Sequence, residues 1–133
     1  MVTFKYVLLS TWEFHDKKAD SYMHRNFYNW FKDEVRGVYH YYIGANSDDL
    51  KLVISPALKK FFMDFCGEKM TADCSQDGKE VRRIYGIELM DDKNFNLETK
   101  AKFWARLLVR ENIYMRVQVI KRGMEAMPKK EEK

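Results

Sequence analysis

The sequence has few of the residues that cross-link, kink or interrupt a chain. It contains two cysteines, two prolines and six glycines in 133 residues. Small secreted domains depend on several disulfides, so two cysteines exclude a disulfide scaffold. Cys66 and Cys74 have no histidine at zinc-finger spacing near them, and we expect two reduced thiols, with a local disulfide as the alternative.

Long hydrophobic runs are also missing. No apolar run approaches the roughly 20 residues that a membrane-spanning helix needs, and residues 1–10 lack the basic start and long apolar region of a signal peptide. We therefore expect a cytoplasmic protein with no membrane partner. A chain of 133 residues, 46% hydrophobic and 33% charged, predicts one globular domain. We place that domain at residues 1–123 and a frayed charged tail at residues 124–133.

Motifs of nucleotide and nucleophilic chemistry are absent. The glycines form neither a dinucleotide-binding fingerprint nor a phosphate loop, so we expect no cofactor. Cys66 has no histidine close in sequence to activate it, and the serines fall in predicted strand, turn and cap positions. The sequence therefore favours a non-catalytic protein without excluding an enzyme.

Aromatic residues and an uneven charge are what the sequence has in abundance. Aromatics make up 15% of the chain, and eight of them are tyrosines. Exposed tyrosine is common at interfaces, although half-buried strand tyrosines would explain the same number. The net charge is +4; residues 96–133 carry 10 Lys and Arg against 5 Asp and Glu, and residues 1–95 carry 14 against 15. The basic end favours an anionic partner, with a solvated helix face as the alternative.

The hydrophobic spacing of the first half predicts two strands around a helix, then a third strand and a second helix. Residues 3–12 are rich in β-branched and aromatic residues and predict a strand. A helix follows from Asp20 or Ser21 and ends at Gly37, with apolar positions at Met23, Phe27, Trp30, Phe31 and Val35. Residues 38–43 and 50–54 predict an antiparallel hairpin. Ser55 and Pro56 begin a helix of about 11 residues that ends before Gly67.

The second half predicts a loop, two strands and a helix. Residues 68–79 are polar and predict a mobile loop. A strand follows at 80–90, a helix at 97–112 capped by Asn96, and a last strand at 113–121. The order β-α-β-β-α-β-α-β predicts an α+β domain whose first six elements match the split βαβ plan of ferredoxin-like domains. We expect an antiparallel or mixed sheet with helices mainly on one face, plus an appended C-terminal helix and strand.

A metal site is one functional hypothesis. Glu13, His15 and Asp16 leave the end of the first strand, and Asp49 lies in the predicted hairpin turn. Carboxylates and histidine can hold a divalent metal for phosphodiester hydrolysis. Their spacing fits no established ligand signature, so a metal-dependent phosphodiesterase or nuclease is our alternative function.

A nucleic-acid surface is a second hypothesis. If the last two predicted strands are neighbours, Arg83 and Arg116 would lie beside Tyr85 or Tyr114 in a basic, aromatic patch. The sequence lacks the motif of sheet-based RNA-recognition domains, and opposite charges are interspersed along it.

Our leading hypothesis is binding to a macromolecular partner, protein or nucleic acid, by an accessory or inhibitory protein that self-associates. Phage and mobile elements encode many such small proteins, which is an analogy only. Tyrosine and arginine are the residues that most often anchor interfaces. The predicted contact residues are Tyr39, Tyr41, Tyr42, Arg83, Arg106 and Arg116.

Overall fold

A computed structural model describes residues 4–16, 18–42, 44–66, 83–90 and 100–126. The predicted loop 68–79, Cys74, Gly67 and the cap Asn96 lie outside these residues. The described elements, in chain order, are β1 (Tyr6–Phe14), α1 (Ser21–Tyr41), a 3-10 turn (Ser47–Asp49), β2 (Leu50–Ile54), α2 (Pro56–Phe61) with a π turn (Phe62–Cys66), β3 (Arg83–Ile84), β4 (Ile87–Leu89), β5 (Phe103–Arg110) and α3 (Glu111–Ala126).

The strands form one five-stranded mixed sheet in the order β1-β5-β2-β4-β3. β5 pairs antiparallel with β1 and with β2, β2 pairs parallel with β4, and β3 pairs antiparallel with β4. The predicted α+β class is therefore confirmed. The ferredoxin-like topology is not confirmed, because the strand order differs and a segment predicted as helical supplies β5.

Helix α1 is longer than predicted and contains most of the segment expected as the second strand. It begins at the cap Asp20, whose carboxylate accepts hydrogen bonds from the backbone N–H groups of Tyr22 and Met23. It continues through Gly37 to Tyr41, so the strand predicted at residues 38–43 was wrong. Val38 is buried seven residues after Phe31, which extends the apolar stripe of the helix by two turns.

The two elements at the C-terminal end are exchanged relative to prediction. Residues predicted as a helix at 97–112 include β5, and the strand predicted at 113–121 is the first part of α3. Residues 103–109 of β5 are all buried. A run that is apolar except for Arg106 is compatible with a helix or with a central strand, and here pairing on both sides decides for the strand. The predicted tail begins inside α3, and residues 127–133 lie outside the described chain.

Strand β2 and the start of α2 agree with the sequence pattern. Leu50–Ile54 is a strand, and Pro56 is the first helical residue after the cap Ser55. The Ser55 hydroxyl accepts hydrogen bonds from the N–H groups of Leu58 and Trp104, which ties the start of α2 to β5. The strand predicted at 80–90 is a tight hairpin in its described part, because Tyr85 and Gly86 turn between β3 and β4 with φ of 51° and 81°.

All three helices contribute to one core against one face of the sheet. Phe103, Ala105, Leu107 and Val109 alternate along β5 and belong to this core. The buried helix residues packed with them are Met23, Phe27, Phe31, Val38, Leu58, Phe61, Ile113 and Val117. The predicted placement of helices on one face agrees with this arrangement. Among the described helices, none is long and apolar enough to cross a lipid bilayer.

The opposite face of the sheet carries a second buried cluster. Val53, Trp104 and Leu108 form it, and Tyr6, Leu8 and Met90 pack against it. Arg106 lies on this face beside Trp104, with its guanidinium carbon 4.0 Å from the indole centroid. Lys51 and Glu88 form an ion pair between the neighbouring strands β2 and β4.

Candidate functional site

The outer side of α3 exposes a group of large apolar residues. Met115 is 43% exposed, Val119 61% and Ile120 51%. Residues four apart lie above one another on a helix, so Met115 and Val119 form one stripe and Arg116 and Ile120 the next. Arg122 is also exposed and lies one turn beyond Val119. We call Met115, Arg116, Val119, Ile120 and Arg122 the α3 surface.

The sequence of α3 explains why this surface faces outward. Ile113 and Val117, four residues apart, are buried in the core and fix the rotation of the helix. Met115, Val119 and Arg122 then lie on the side opposite these anchors, whereas Ile120, three residues after Val117, lies closer to the anchor side and is exposed there. The apolar content of α3 exceeds what one buried stripe needs, and the excess lies on the α3 surface.

The charge of α3 is positive beyond its first turn. Arg116, Lys121 and Arg122 are exposed. Among the described side chains of α3, the only carboxylate is that of Glu111, in the first turn. The α3 surface therefore combines aliphatic side chains with cationic ones.

A group of tyrosines connects the end of α1 to α3. The Tyr42 ring contacts Tyr41 edge-on at 4.9 Å between centroids and stacks with Tyr114 at 6.2 Å. The Lys121 ammonium lies 4.4 Å from the centroid of the exposed Tyr41 ring. Burial, and then the neighbouring Tyr114, raise the pKa of Tyr42 above 10.0, so its hydroxyl is neutral at physiological pH. We call Tyr41, Tyr42, Tyr114 and Lys121 the tyrosine junction.

The turn after α1 lies against α3. Gly44 has φ of +87°, and a Cβ atom built on it would lie 3.4 Å from Nη1 of Arg116. The predicted contact residues Tyr41, Tyr42 and Arg116 are thus placed around the same helix–helix junction. Tyr42 is buried within it. Of these three, Tyr41 and Arg116 remain exposed to a partner.

Tyr39 lies on a different side of α1, towards the 3-10 turn. Burial, then the charges of Asp49 and Asp48, raise its pKa above 10.0. Asp49 also lies 3.5 Å from the Arg110 guanidinium, and its carboxylate accepts a hydrogen bond from the N–H of Asn46. The predicted residue Asp49 is therefore part of the capping box of the 3-10 turn that precedes β2.

Two of the predicted arginines do not join the other contact residues. Arg106 was expected on an exposed helix face, but it lies in β5 and is 1% exposed. Arg83 is half-buried in β3, at the edge of the sheet, where its Nη1 lies 3.5 Å from the carbonyl oxygen of Gly86. Arg116 is on α3 instead of a neighbouring strand, so the predicted basic patch of Arg83 and Arg116 does not form.

The residues of the metal hypothesis are divided between two ends of the sheet. Glu13 lies in β1 opposite Trp104, with His15 3.8 Å away, whereas Asp49 precedes Leu50, which pairs with Val109. Trp104 and Val109 are five positions apart in β5, about 16 Å at the rise of a strand. Asp16 lines a hollow of about 330 Å³ with Lys18 and Asp20. Within the described part of the chain, no group of three potential metal ligands is assembled.

Sequence reasoning missed two features. The aliphatic residues of the α3 surface were assigned to a strand, although Ile113, Val117 and Ile120 at i, i+4 and i+7 share a face only in a helix. The second feature is a contact between α1 and the β3–β4 turn, where Nε2 of His24 lies 2.8 Å from the Tyr85 hydroxyl. Tyr28 and Phe31 also pack on the Tyr85 ring.

Comparison with known proteins adds no assignment. No protein-family model matches the chain, and no characterised protein or solved structure is significantly similar to it.

Proposed function

We propose that this protein acts by binding an acidic partner protein, and that the α3 surface makes the central contact. The observation that carries the proposal is the exposure of Met115 and Val119 on the outer side of α3, with Ile120 exposed on its flank, on a helix whose described exposed cations are Arg116, Lys121 and Arg122. Scattered exposed apolar residues are ordinary, but neighbours on one helix face form a patch, and such patches mark interaction surfaces.

Aliphatic side chains favour a protein over a nucleic acid as the partner. Phosphates are held by cations and polar groups, and bases are stacked on aromatic rings or guanidinium planes. Met115, Val119 and Ile120 supply neither. Protein interfaces, by contrast, bury methionine and aliphatic residues at their centre and are enriched in arginine. An amphipathic helix that lies in an apolar groove uses anchors spaced like Met115 and Val119.

The charge of the surface favours an acidic partner. Cations around an apolar centre attract and orient a surface of opposite sign, and this attraction weakens with salt. Tyr41 and Lys121 of the tyrosine junction provide a further exposed aromatic–cation contact on the side of α3 that faces α1. The phosphodiesterase alternative is not proposed further, because its four residues are divided between two ends of the sheet.

Photo-cross-linking tests this function directly. A benzoylphenylalanine side chain is placed at Val119 in one variant and at Tyr28, an exposed residue of α1, in the control. We expect the Val119 variant to cross-link a discrete acidic protein, and the Tyr28 variant to cross-link none or a different one. A purified partner should bind the wild type in a salt-sensitive way. Met115→Ser with Val119→Ser should weaken that binding at least ten-fold, as expected for loss of two interface anchors.

Four results would contradict the proposal. One is cross-linking that does not depend on position, and another is unchanged affinity of the Met115→Ser, Val119→Ser variant. The third is a salt-sensitive complex with an RNA or DNA oligonucleotide that the same variant still forms, since that would assign the cations to phosphates. Cross-linking of Val119 to a second copy of the chain would identify the α3 surface as a self-association contact instead.

A further inference from the structure

An open cleft lies at the other end of β5, away from the α3 surface. Its volume is about 600 Å³, and its lining includes Ala57 and Phe61 of α2 and Phe103 at the start of β5. Sites for small organic ligands commonly measure 300–1,000 Å³ and have a mostly apolar lining with a few polar groups. The cleft has the size of such a site, and neither the α3 surface nor the tyrosine junction shares a residue with it.

Two aromatic rings give the cleft an apolar wall. Phe61 and Phe103 belong to the core, and both also line the cleft. Ala57, in the first turn of α2, also lines the cleft, and its small side chain leaves room for a ligand. Aromatic rings pack favourably on one another in stacked or edge-on geometries, so a planar ring is a suitable occupant of this wall.

Two ammonium groups lie at the rim. Among the described residues that line the cleft, Lys60 and Lys102 are accompanied by the carboxylate of Asp64. The Lys102 ammonium lies 5.6 Å from the centroid of the Phe103 ring, so an anion bound to it would lie next to the aromatic wall. Neither lysine forms an ion pair within the described part of the chain.

Lys60 and Asp64 lie four residues apart, on either side of the start of a π turn. In a regular α-helix, residues four apart are neighbours, and a lysine and an aspartate at that spacing tend to pair. Here a π turn begins at Phe62, between the two residues, and no ion pair joins them. π turns occur frequently at functional sites. The positive charge of Lys60 is therefore accessible to a ligand.

From this geometry we propose that the cleft binds a small aromatic anion, a planar ring that carries a carboxylate or phosphate group. The ring contacts Phe61 and Phe103, and the anionic group pairs with Lys60 and Lys102. Because lysine ammonium groups are point charges, they accept either anion without a fixed geometry. This site is independent of the proposed partner binding, since the two surfaces lie at opposite ends of β5.

Calorimetric titration with matched naphthalene compounds tests the site. The probes are naphthoate, the neutral naphthylmethanol and the cationic naphthylmethylammonium. We expect saturable binding of naphthoate with one site per chain, at least five-fold weaker binding of naphthylmethanol, and the weakest binding of the cation. Lys60→Gln and Lys102→Gln should each weaken naphthoate binding about two- to five-fold, the effect of one exposed ion pair, and leave naphthylmethanol binding unchanged.

Two further variants serve as controls. Lys59→Gln removes the neighbouring cation of α2, which does not line the cleft, and should leave naphthoate binding unchanged. Ala57→Leu fills the cleft and should weaken both naphthoate and naphthylmethanol at least ten-fold, with a cooperative thermal transition as proof of folding. Equal affinity for the anion and the neutral probe, insensitivity to both Lys60→Gln and Lys102→Gln, or no saturable binding at all would overturn the proposal.

Discussion

At the scale of single residues, the turn after α1 shows how one position can require glycine. Gly44 has a positive φ, and the Arg116 guanidinium occupies the space next to its α-carbon. A side chain at position 44 would have a backbone conformation that L-residues avoid, and its Cβ would be in van der Waals contact with the end of the Arg116 side chain. Gly37 meets neither, because it lies inside α1 with nothing within 4 Å of a built Cβ.

We therefore predict opposite effects for alanine at the two glycines. Gly44→Ala should lower the free energy of unfolding by about 1–2 kcal/mol, the usual cost of a left-handed L-residue. Gly37→Ala should raise it by about 0.5–1 kcal/mol, because alanine is a better helix former than glycine. Urea titration monitored by circular dichroism measures both values. Equal destabilisation by Gly37→Ala and Gly44→Ala would contradict this prediction, because it would indicate that α1 ends at Gly37, as the sequence pattern predicted.

The tyrosines differ in exposure according to the helix or turn in which each one lies. The sequence predicted that some of the eight tyrosines reach the surface, and Tyr22, Tyr28, Tyr39 and Tyr41 are exposed. Tyr42, predicted as a contact residue, is buried as the last turn of α1 meets α3. Whether a tyrosine in an aromatic run faces solvent depends on the helix or strand that carries it, and the pattern of residues 38–43 suggested the wrong one.

At the scale of elements, the exchange of helix and strand at the C-terminal end has one physical origin. Residues 103–110 combine good helix formers, alanine, leucine and arginine, with strand formers, phenylalanine, tryptophan and valine, so their intrinsic preference is divided. They become the central strand because both β1 and β2 pair with them. Residues 113–121 alternate like a strand, but burial of Ile113 and Val117 on one helix face stabilises α3 instead.

Two valines in α3 distinguish these assignments. Val117→Ala should lower the free energy of unfolding by about 1–3 kcal/mol, because Val117 is buried in the core. Val119→Ala should raise it by about 0.5 kcal/mol, since Val119 is exposed and alanine has the higher helix propensity. In a strand the two valines would share a face, and similar losses in both variants would argue against the helix. Thermal and urea unfolding of the two purified variants give the comparison.

At the scale of the whole molecule, the hairpin β3–β4 is connected to the helix layer through His24. This hairpin forms one edge of the sheet, and the Tyr85 hydroxyl and the His24 ring join it to α1. Tyr85 has a positive φ, which costs a non-glycine residue about 1–2 kcal/mol. Its ring contacts with Tyr28 and Phe31 and its bond to His24 offset this cost.

Global stability should therefore depend on the protonation of His24. Burial lowers the pKa of His24 below 6.5, so the unfolded chain binds a proton at a pH where the folded chain does not. The contribution of neutral His24 to the free energy of unfolding is complete above pH 6.5 and is lost as the pH falls below that value. We predict that His24→Gln reduces the decrease in unfolding free energy between pH 7 and pH 5. His40→Gln, which alters an exposed position of α1, should keep the wild-type decrease.

Urea unfolding at several pH values provides the measurement. Tyr85→Phe is a second variant, which retains the ring contacts and removes the hydrogen bond to His24. It should lower the free energy of unfolding by about 1 kcal/mol near neutral pH, the net contribution of one hydrogen bond. A wild-type pH dependence that survives in His24→Gln would show that other groups account for it.

The sequence determined the α+β class, the first strand, a helix cap at Asp20 or Ser21, β2 and the start of α2. Each of these depends on local chemistry: β-branched and aromatic runs, a capping carboxylate, or the Ser55 and Pro56 pair. The basic character of the C-terminal end was also visible in the sequence. Two of its arginines do not contribute to an exposed basic surface, because Arg106 is buried and Arg110 pairs with Asp49.

Tertiary structure alone decided the length of α1, the identities of β5 and α3, and the position of the candidate surfaces. The reason is that a mostly apolar segment such as residues 103–109 can be buried as a helix or as a strand, and the choice depends on partners distant in sequence. Pairing of β5 with β1 and β2 makes residues 103–110 a strand, and α3 begins directly after it. The positions of the α3 surface and of the cleft therefore follow from the sheet order.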